Sequence, residues 1–380
     1  MKVVIAIDSL KGSLSSVEAG NIIKDTILET GPADVKVYPL ADGGEGTVEA
    51  LVMGMHGEKV EITVKGPLGT PVQATYGMIP EKKMAIMEMA QAAGITLVPD
   101  AQRNPMETTT YGVGEMILDA VKRGCRDFII GIGGSATNDG GIGMMEALGA
   151  VFYDREKGLI GPYGKDMLKA AFVDLTFVEP KLKECRFRIA CDVNNPLCGP
   201  NGCSAVFGPQ KGATPAMVQE MDWGLQRFSE VLYHATGKYT ADIPGTGAAG
   251  GLGFAFLTFL NGKLEPGVDM ILDAISLEDD LKDADFAITG EGKLDFQTAM
   301  GKAPIGVAKM AKKYGIKVLA FSGGATEDAV ECNKSGIDAY FPILQLPVTV
   351  EEAMEPETAK ENLRLTVLQV FRLIRSMENK

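Results

Sequence analysis

Histidine is almost missing from this chain: His56 and His234 are its two copies in 380 residues, and they stand far apart. A Ser–His–Asp triad is therefore implausible, and any general base has to be a carboxylate or a lysine. Cysteine is sparse as well. The six residues (125, 185, 191, 198, 203 and 332) are too few to staple a chain of this length. Cys198 and Cys203 lie close together but have no histidine nearby, which argues against a zinc site. Basic runs are lacking, and the formal net charge is -13. Nucleic acid and anionic membrane surfaces need a concentrated basic footprint, so neither is an expected partner. An anionic ligand would have to be held by individual lysines, backbone N–H groups and a metal ion.

Several signatures are also absent. There is no Gly-x₄-Gly-Lys-Ser/Thr loop, no protein-kinase catalytic loop and no Gly-x-Ser-x-Gly elbow. The opening MKVVIAID reaches Asp8 too early for a secretory apolar core. The longest uncharged stretch, 243–262, is interrupted by six glycines, Pro244 and Asn261, and reads as a loop with a short buried helix. The expected location is cytoplasmic.

What the chain does have is glycine, 46 residues of it, gathered between apolar runs, and a hydrophobic content of 46%. The length exceeds what one core normally supports, so two domains are expected. Apolar runs alternate with helical patterns, as in a parallel sheet built from βα units. Six such strands are predicted: Val3–Ile7, Val35–Leu40, Phe128–Ile132, Phe286–Thr289, Val318–Phe321 and Ala339–Ile343. Ser15 and Glu18 form a capping box after the first. Leu363, Val367, Val370, Phe371, Ile374 and Met377 mark one face of a C-terminal helix.

Lys59–Val64, Val72–Met78 and Met84–Met89 read instead as an antiparallel meander turning at Gly66–Gly69. Strand-like runs recur at Phe187–Cys191 and Ala205–Gly208. The predicted fold is α/β: a Rossmann-like parallel-sheet domain (1–60, 95–149 and 270–380) carrying an inserted mixed α/β domain (61–94 and 150–269).

Five segments could carry chemistry. Asp8, Ser9, Lys11 and Ser13 follow the first strand, where a lysine, hydroxyls and a helix start suit an anion, although they could equally cap and turn the chain. Asp42, Gly43, Gly44 and Glu45 combine a glycine nest with two acids, better suited to a metal or substrate hydroxyls than to phosphate alone. Gly133, Gly134, Ser135, Thr137 and Asn138 follow another strand, and their polar content suits phosphate or carboxylate recognition. Gly131-x-Gly133-x-x-Ala136 and Gly245-x-Gly247-x-x-Gly250 formally match the dinucleotide fingerprint. That keeps a nicotinamide-dependent oxidoreductase acting on a small hydroxyacid as the rival reading. No acid is well placed for the ribose, however. Asp192 and Asn195 end a further strand. Last, Gly290, Glu291, Lys293, Asp295 and Thr298 alternate carboxylates and lysine with glycine, the mixture phosphoryl transfer requires. A non-catalytic solute-binding module is the other alternative, and the lack of a secretion signal speaks against it.

In order and spacing these segments resemble the bacterial glycerate kinase family. The similarity rests on Asp-Ser-x-Lys at 8–11, Ala-Asp-Gly-Gly-Glu-Gly-Thr at 41–47 and Gly-Gly-Ser-Ala-Thr-Asn-Asp-Gly-Gly at 133–141. It continues through Cys-Asp-Val-x-Asn-Pro-Leu at 191–197, Gly-Pro-Gln-Lys-Gly-Ala at 208–213, Gly-Ala-Ala-Gly-Gly at 247–251 and Gly-Glu-Gly-Lys-Leu-Asp-x-Gln-Thr at 290–298. Leu10, in place of an aromatic residue, and the looser stretch 154–186 depart from the pattern. The resemblance implies ATP- and Mg²⁺-dependent phosphorylation of D-glycerate, usually at the 2-hydroxyl, with 3-phosphoglycerate as the alternative product. It also implies a cleft between two domains, in a monomer or homodimer. Lys11, Asp192, Lys293 and Asp295 are the expected catalytic residues; Asp192, Glu291 and Asp295 are the expected metal ligands.

Overall fold

The computed structural model describes residues 1–41 and 46–378. It divides into two compact units. The first comprises Met1–Asp42, Glu49–Met55 and Val268–Lys380, and the second Gly43–Val48 and His56–Gly267.

The first unit is built on a five-stranded sheet in the order Ala339–Pro342, Lys317–Ala325, Phe286–Leu294, Lys2–Ile7, Asp34–Pro39. Every pairing is parallel. Val3 to Ile7 are all fully buried, as a central strand covered on both faces must be. Asp34–Pro39 alternates and ends in proline, which suits its place at an edge. From Lys2–Ile7 the chain steps outward to Asp34–Pro39, and later returns to the other side of the first strand through Phe286–Leu294. The order therefore reverses beside Lys2–Ile7. In open parallel sheets, the crevice beyond the carboxyl ends at such a reversal is where ligands bind.

Helix Ser16–Glu29 starts as expected: the Ser15 hydroxyl accepts the Glu18 amide at 3.2 Å, and the Glu18 carboxylate accepts the Ser15 amide at 2.9 Å. Replacing Ser15 with Ala is expected to cost about 0.5–2 kcal/mol in a denaturant titration, since one helix donor loses its acceptor. Helix Pro356–Glu378 buries Leu363, Val367 and Phe371 against the sheet, with Val370 and Ile374 at the margin. Met377, expected on the same face, is 69% exposed because the helix has run past the core by then.

The second unit has a six-stranded mixed sheet in the order Lys263–Glu265, Arg186–Ala190, Asp127–Gly131, Met84–Glu88, Pro71–Ile79, Glu58–Lys65. The last three form the expected antiparallel meander, and the remaining pairings are parallel. A separate hairpin joins Val151–Tyr153 to Phe172–Asp174.

Three expectations are corrected. The strand predicted at Phe128–Ile132 does not join the first sheet. Asp127–Gly131 pairs with Met84–Glu88 and Arg186–Ala190, and residues 95–149 belong with the second unit. Its fully apolar run is that of any central parallel strand, so the pattern predicts a strand without saying whose. Residues 56–60 also belong to the second unit, whereas 49–55 belong to the first. Ala205–Gly208 is no strand: Cys203–Phe207 is a helix, a case where a run this short carries no usable periodicity.

Candidate functional site

In the first unit the loop after Lys2–Ile7 and the carboxyl end of Phe286–Leu294 come together at the sheet reversal. The Asp8 amide donates to the Gly290 carbonyl at 3.0 Å, continuing the ladder beyond the first strand. Asp8 is buried, and its Oδ1 accepts the Ser9 amide at 2.6 Å. Leu10 and Leu14 exchange backbone bonds around a tight turn, and the Ser13 hydroxyl donates to the Leu10 carbonyl at 2.8 Å. Gly12 adopts φ +83° within that turn. Lys11, at its tip, is exposed.

Glu291, Gly292, Lys293 and Asp295 line a cavity of about 520 Å³ together with Lys11 and Ser13. The pattern of glycines explains how the segments can approach. A Cβ on Gly292 would stand 3.0 Å from the Lys11 nitrogen, and one on Gly290 would stand 1.9 Å from the Phe321 carbonyl oxygen. Gly290 is thus required by the packing of the sheet.

Thr298 ties the two carboxylates to one another. Its hydroxyl donates to Glu291 Oε1, and its amide donates to Asp295 Oδ1 at 3.1 Å. The Asp295 amide in turn donates to the Thr298 hydroxyl at 3.1 Å, closing a capping box over residues 295–298. The two acids differ in environment. Burial raises the Glu291 pKa despite the Thr298 hydroxyl and the nearby Lys302 and Lys11 charges. Burial also acts upward on Asp295, but is outweighed by the Thr298 amide and Lys302, so its pKa lies below the usual carboxylate range. One carboxylate is set up to hold a proton late, the other to remain charged.

The second unit contains the Gly133–Asn138 loop. Gly133 and Gly134 are exposed, whereas Ser135, Thr137 and Asn138 point inward. Lys211 explains why: only 2% exposed, its Nζ donates to Ser135 Oγ and to the Thr137 carbonyl, each at 2.7 Å. Asn138 Nδ2 donates to Ser204 Oγ at 2.9 Å. Thr137 Oγ1 and Asn138 Oδ1 are buried without a hydrogen-bond partner among the described residues. Asp139 accepts the Thr110 amide and hydroxyl and the Gly141 and Gly143 amides. The first helix after Gly131 begins only at Ile142, so the segment is no tight dinucleotide turn.

Burial pushes the Lys211 ammonium down to about 8 from its ordinary 10.5. Between those values the unfolded chain binds a proton that the folded one does not, so folding stability rises with pH across that window. Lys211→Met removes this contribution. The stability difference between wild type and variant, followed by denaturant titration at pH 8, 9 and 10, is expected to change by up to ~1.4 kcal/mol per pH unit. A flat difference would contradict the burial account.

Also in the second unit, Asp192 is exposed and its Oδ1 accepts the Gly267 amide at 3.0 Å. Asn195 ties down its own loop: Nδ2 donates to the Asn201 carbonyl at 2.8 Å, and its carbonyl accepts the Gly245 and Gly247 amides. Asp42, Gly43, Gly44 and Glu45 lie outside the described residues.

Lys11, Ser13, Glu291, Lys293, Asp295 and Thr298 thus gather in the first unit, with Asp8 and Gly290 supporting them from the strand ends. Gly133, Gly134, Ser135, Thr137, Asn138, Asp192 and Asn195 are held in the second. Among the described residues no three His, Cys, Asp or Glu side chains cluster as a metal cage. The Glu291–Asp295 pair still fits magnesium, which takes one or two carboxylates and completes its shell with phosphate oxygens and water. Sequence reasoning missed two things. Lys302 lines the cavity, and Lys211 anchors the 133–139 loop. Lys211 stands in the 208–213 motif and Lys302 a few positions beyond the 290–298 motif, but nothing local distinguishes a buried lysine from a solvated one.

Against known proteins, residues 3–375 match the model of the Glycerate kinase family. The chain is 46% identical over 356 residues to a glycerate kinase of Bacillus subtilis, covering 93% of each. It is also 46% identical over 354 residues to a glycerate 2-kinase of Escherichia coli, again covering 93% of each. A crystal structure from Salmonella typhimurium LT2, described as a glycerate kinase 2, superposes with a TM-score of 0.92 at 44% identity, covering 100% of both chains.

Proposed function

The chain belongs to the glycerate kinase family, and from that premise we propose that it transfers the terminal phosphoryl group of ATP to the 2-hydroxyl of D-glycerate. The observation that carries this reading is the convergence of Lys11, Lys293 and Lys302 with Glu291 and Asp295 on one cavity at the sheet reversal. Phosphoryl transfer demands cations around the moving group, carboxylates for a metal and one acceptor for the hydroxyl proton.

Asp295 would hold Mg²⁺ together with phosphate oxygens and water, and the ion supplies neutralisation of the phosphate charge when bound. Asp295, kept ionised by the Thr298 amide and Lys302, suits permanent charge pairing. Glu291, whose burial raises its pKa, suits the acceptance of the hydroxyl proton, because a base works best with its pKa nearer the working pH. Asp192 is the second candidate for that role, and Gly133 and Gly134 offer exposed backbone to the substrate carboxylate. The lysines draw the phosphates together without covalent chemistry.

A coupled assay for ADP release with D-glycerate tests the reading directly, with L-glycerate as the control and phosphorus NMR of the product to separate 2- from 3-phosphoglycerate. ADP release that ignores D-glycerate would sink it. Stabilisation by NADH but not by MgATP in a thermal shift would favour the oxidoreductase instead.

A further inference from the structure

The cavity in the first unit has a second half that the phosphoryl chemistry does not use. Part of its lining is the segment after strand Ala339–Pro342, with Ile343, Leu344, Val348, Val350, Ala353 and Met354. Ile343 is buried, but Leu344 is 45%, Val348 43%, Val350 68% and Met354 39% exposed. Large apolar side chains left to water together, in a chain of net charge -13, call for an occupant. Thr349, the polar residue among them, has its hydroxyl engaged in the capping box of helix Val350–Met354, accepting the Glu352 amide at 3.2 Å. The wall therefore offers contact area and almost no hydrogen-bonding side chain.

Gly323 and Gly324 add bare backbone to the lining. A Cβ on Gly323 would lie 2.6 Å from the Gly292 carbonyl oxygen, so the strands need glycine there, while a Cβ on Gly324 would meet nothing within 4 Å. The same cavity is lined by Lys11, Lys293 and Lys302 with the two carboxylates, and the Met354 methyl lies against Gly12, next to Lys11.

Resting on the kinase reading above, we propose that this apolar wall, residues 343–354, is the seat of the nucleotide's base, with the triphosphate running toward Lys11, Lys293 and Lys302. The chemistry of the ligand follows from these two kinds of lining. An occupant has to be a flat apolar body joined to a strongly anionic tail, which describes a nucleoside triphosphate. D-glycerate, a three-carbon hydroxyacid, has neither the apolar area to cover the wall nor any need of it. The volume of about 520 Å³ lies within the ~300–1,000 Å³ usual for ligand pockets. Glycerate is accordingly kept off this apolar wall, and the 343–354 segment sets nucleotide affinity without touching the acceptor.

The test uses Val348→Asp and Val350→Asp, both at exposed positions where a new charge leaves the core intact. Each is expected to raise the KM for ATP at least tenfold and leave the KM for D-glycerate within twofold of wild type. Isothermal titration with inorganic triphosphate is expected to give the same affinity in wild type and variants, since that probe has the anionic tail and lacks the base. An unchanged KM for ATP overturns the proposal, as does a rise in the KM for D-glycerate instead, or a parallel loss of triphosphate binding. The arms separate the two claims: wild-type protein that binds ATP, loses it in the variants and yet phosphorylates nothing contradicts the kinase reading and supports the base site.

Discussion

Replacing Glu291 with Gln is expected to lower kcat by about 10²–10⁴-fold, the usual contribution of a positioned proton acceptor. The amide keeps the size of the carboxyl and can still accept the Thr298 hydroxyl, so the site is preserved while its basicity is lost. Stability is expected to hold or improve. A buried carboxyl whose pKa is raised binds a proton that the unfolded chain has already released. Its contribution is present in full below the unfolded value, near 4.5, and is lost as pH climbs through the folded value. At neutral pH the ionised group is a cost, and Gln removes it. A large drop in kcat without a drop in Tm would separate a catalytic role from a structural one. Thr298→Val adds a second readout. Its hydroxyl lowers the Glu291 pKa, so removing it moves the acid limb of the kcat profile to higher pH. Asp295→Asn is expected to act differently. Asn caps a helix about as well as Asp, so the turn at 295–298 survives, and the change shows as a higher Mg²⁺ requirement. Should Asp192→Asn alone abolish turnover and Glu291→Gln leave it near normal, the proton acceptor is Asp192.

Gly290→Ala is expected to be the most damaging single-methyl change in the first unit, costing at least about 3 kcal/mol, at the upper end for overpacking. The added carbon would lie 1.9 Å from the Phe321 carbonyl oxygen, and neither partner can turn away. Both belong to the backbone of paired parallel strands, Phe286–Leu294 and Lys317–Ala325, in the middle of the sheet. Relief requires the strands to part, which strains the Asp8–Gly290 bond that brings the Lys11 loop to the carboxylates. Thermal or denaturant unfolding checks the stability, and the KM for ATP checks the second consequence. Unchanged values for both would contradict the steric account. The outcome bears on how such glycines are read: in Gly290-Glu291-Gly292-Lys293 the first glycine admits a neighbouring strand and the second admits the Lys11 loop.

The local sequence determined a good deal. Apolar runs set the five strands of the first sheet, the Ser15–Glu18 pair set the first helix start, and Glu291, Lys293 and Asp295 were marked as a charged group that proves to line one cavity. Each is a property of residues within a few positions of one another, where propensity, capping and charge act directly. The tertiary structure alone assigned Asp127–Gly131 to the second sheet, because a run apolar on both faces fits between any two parallel neighbours. It alone brought Ser135 and the Thr137 carbonyl onto a buried Lys211 more than seventy positions away, and Asn138 onto Ser204. It also separated two neighbouring carboxylates by environment, so that Glu291 is raised and Asp295 lowered. Burial and the desolvation that follows depend on which distant segments close over a group, and no window of adjacent residues contains that information.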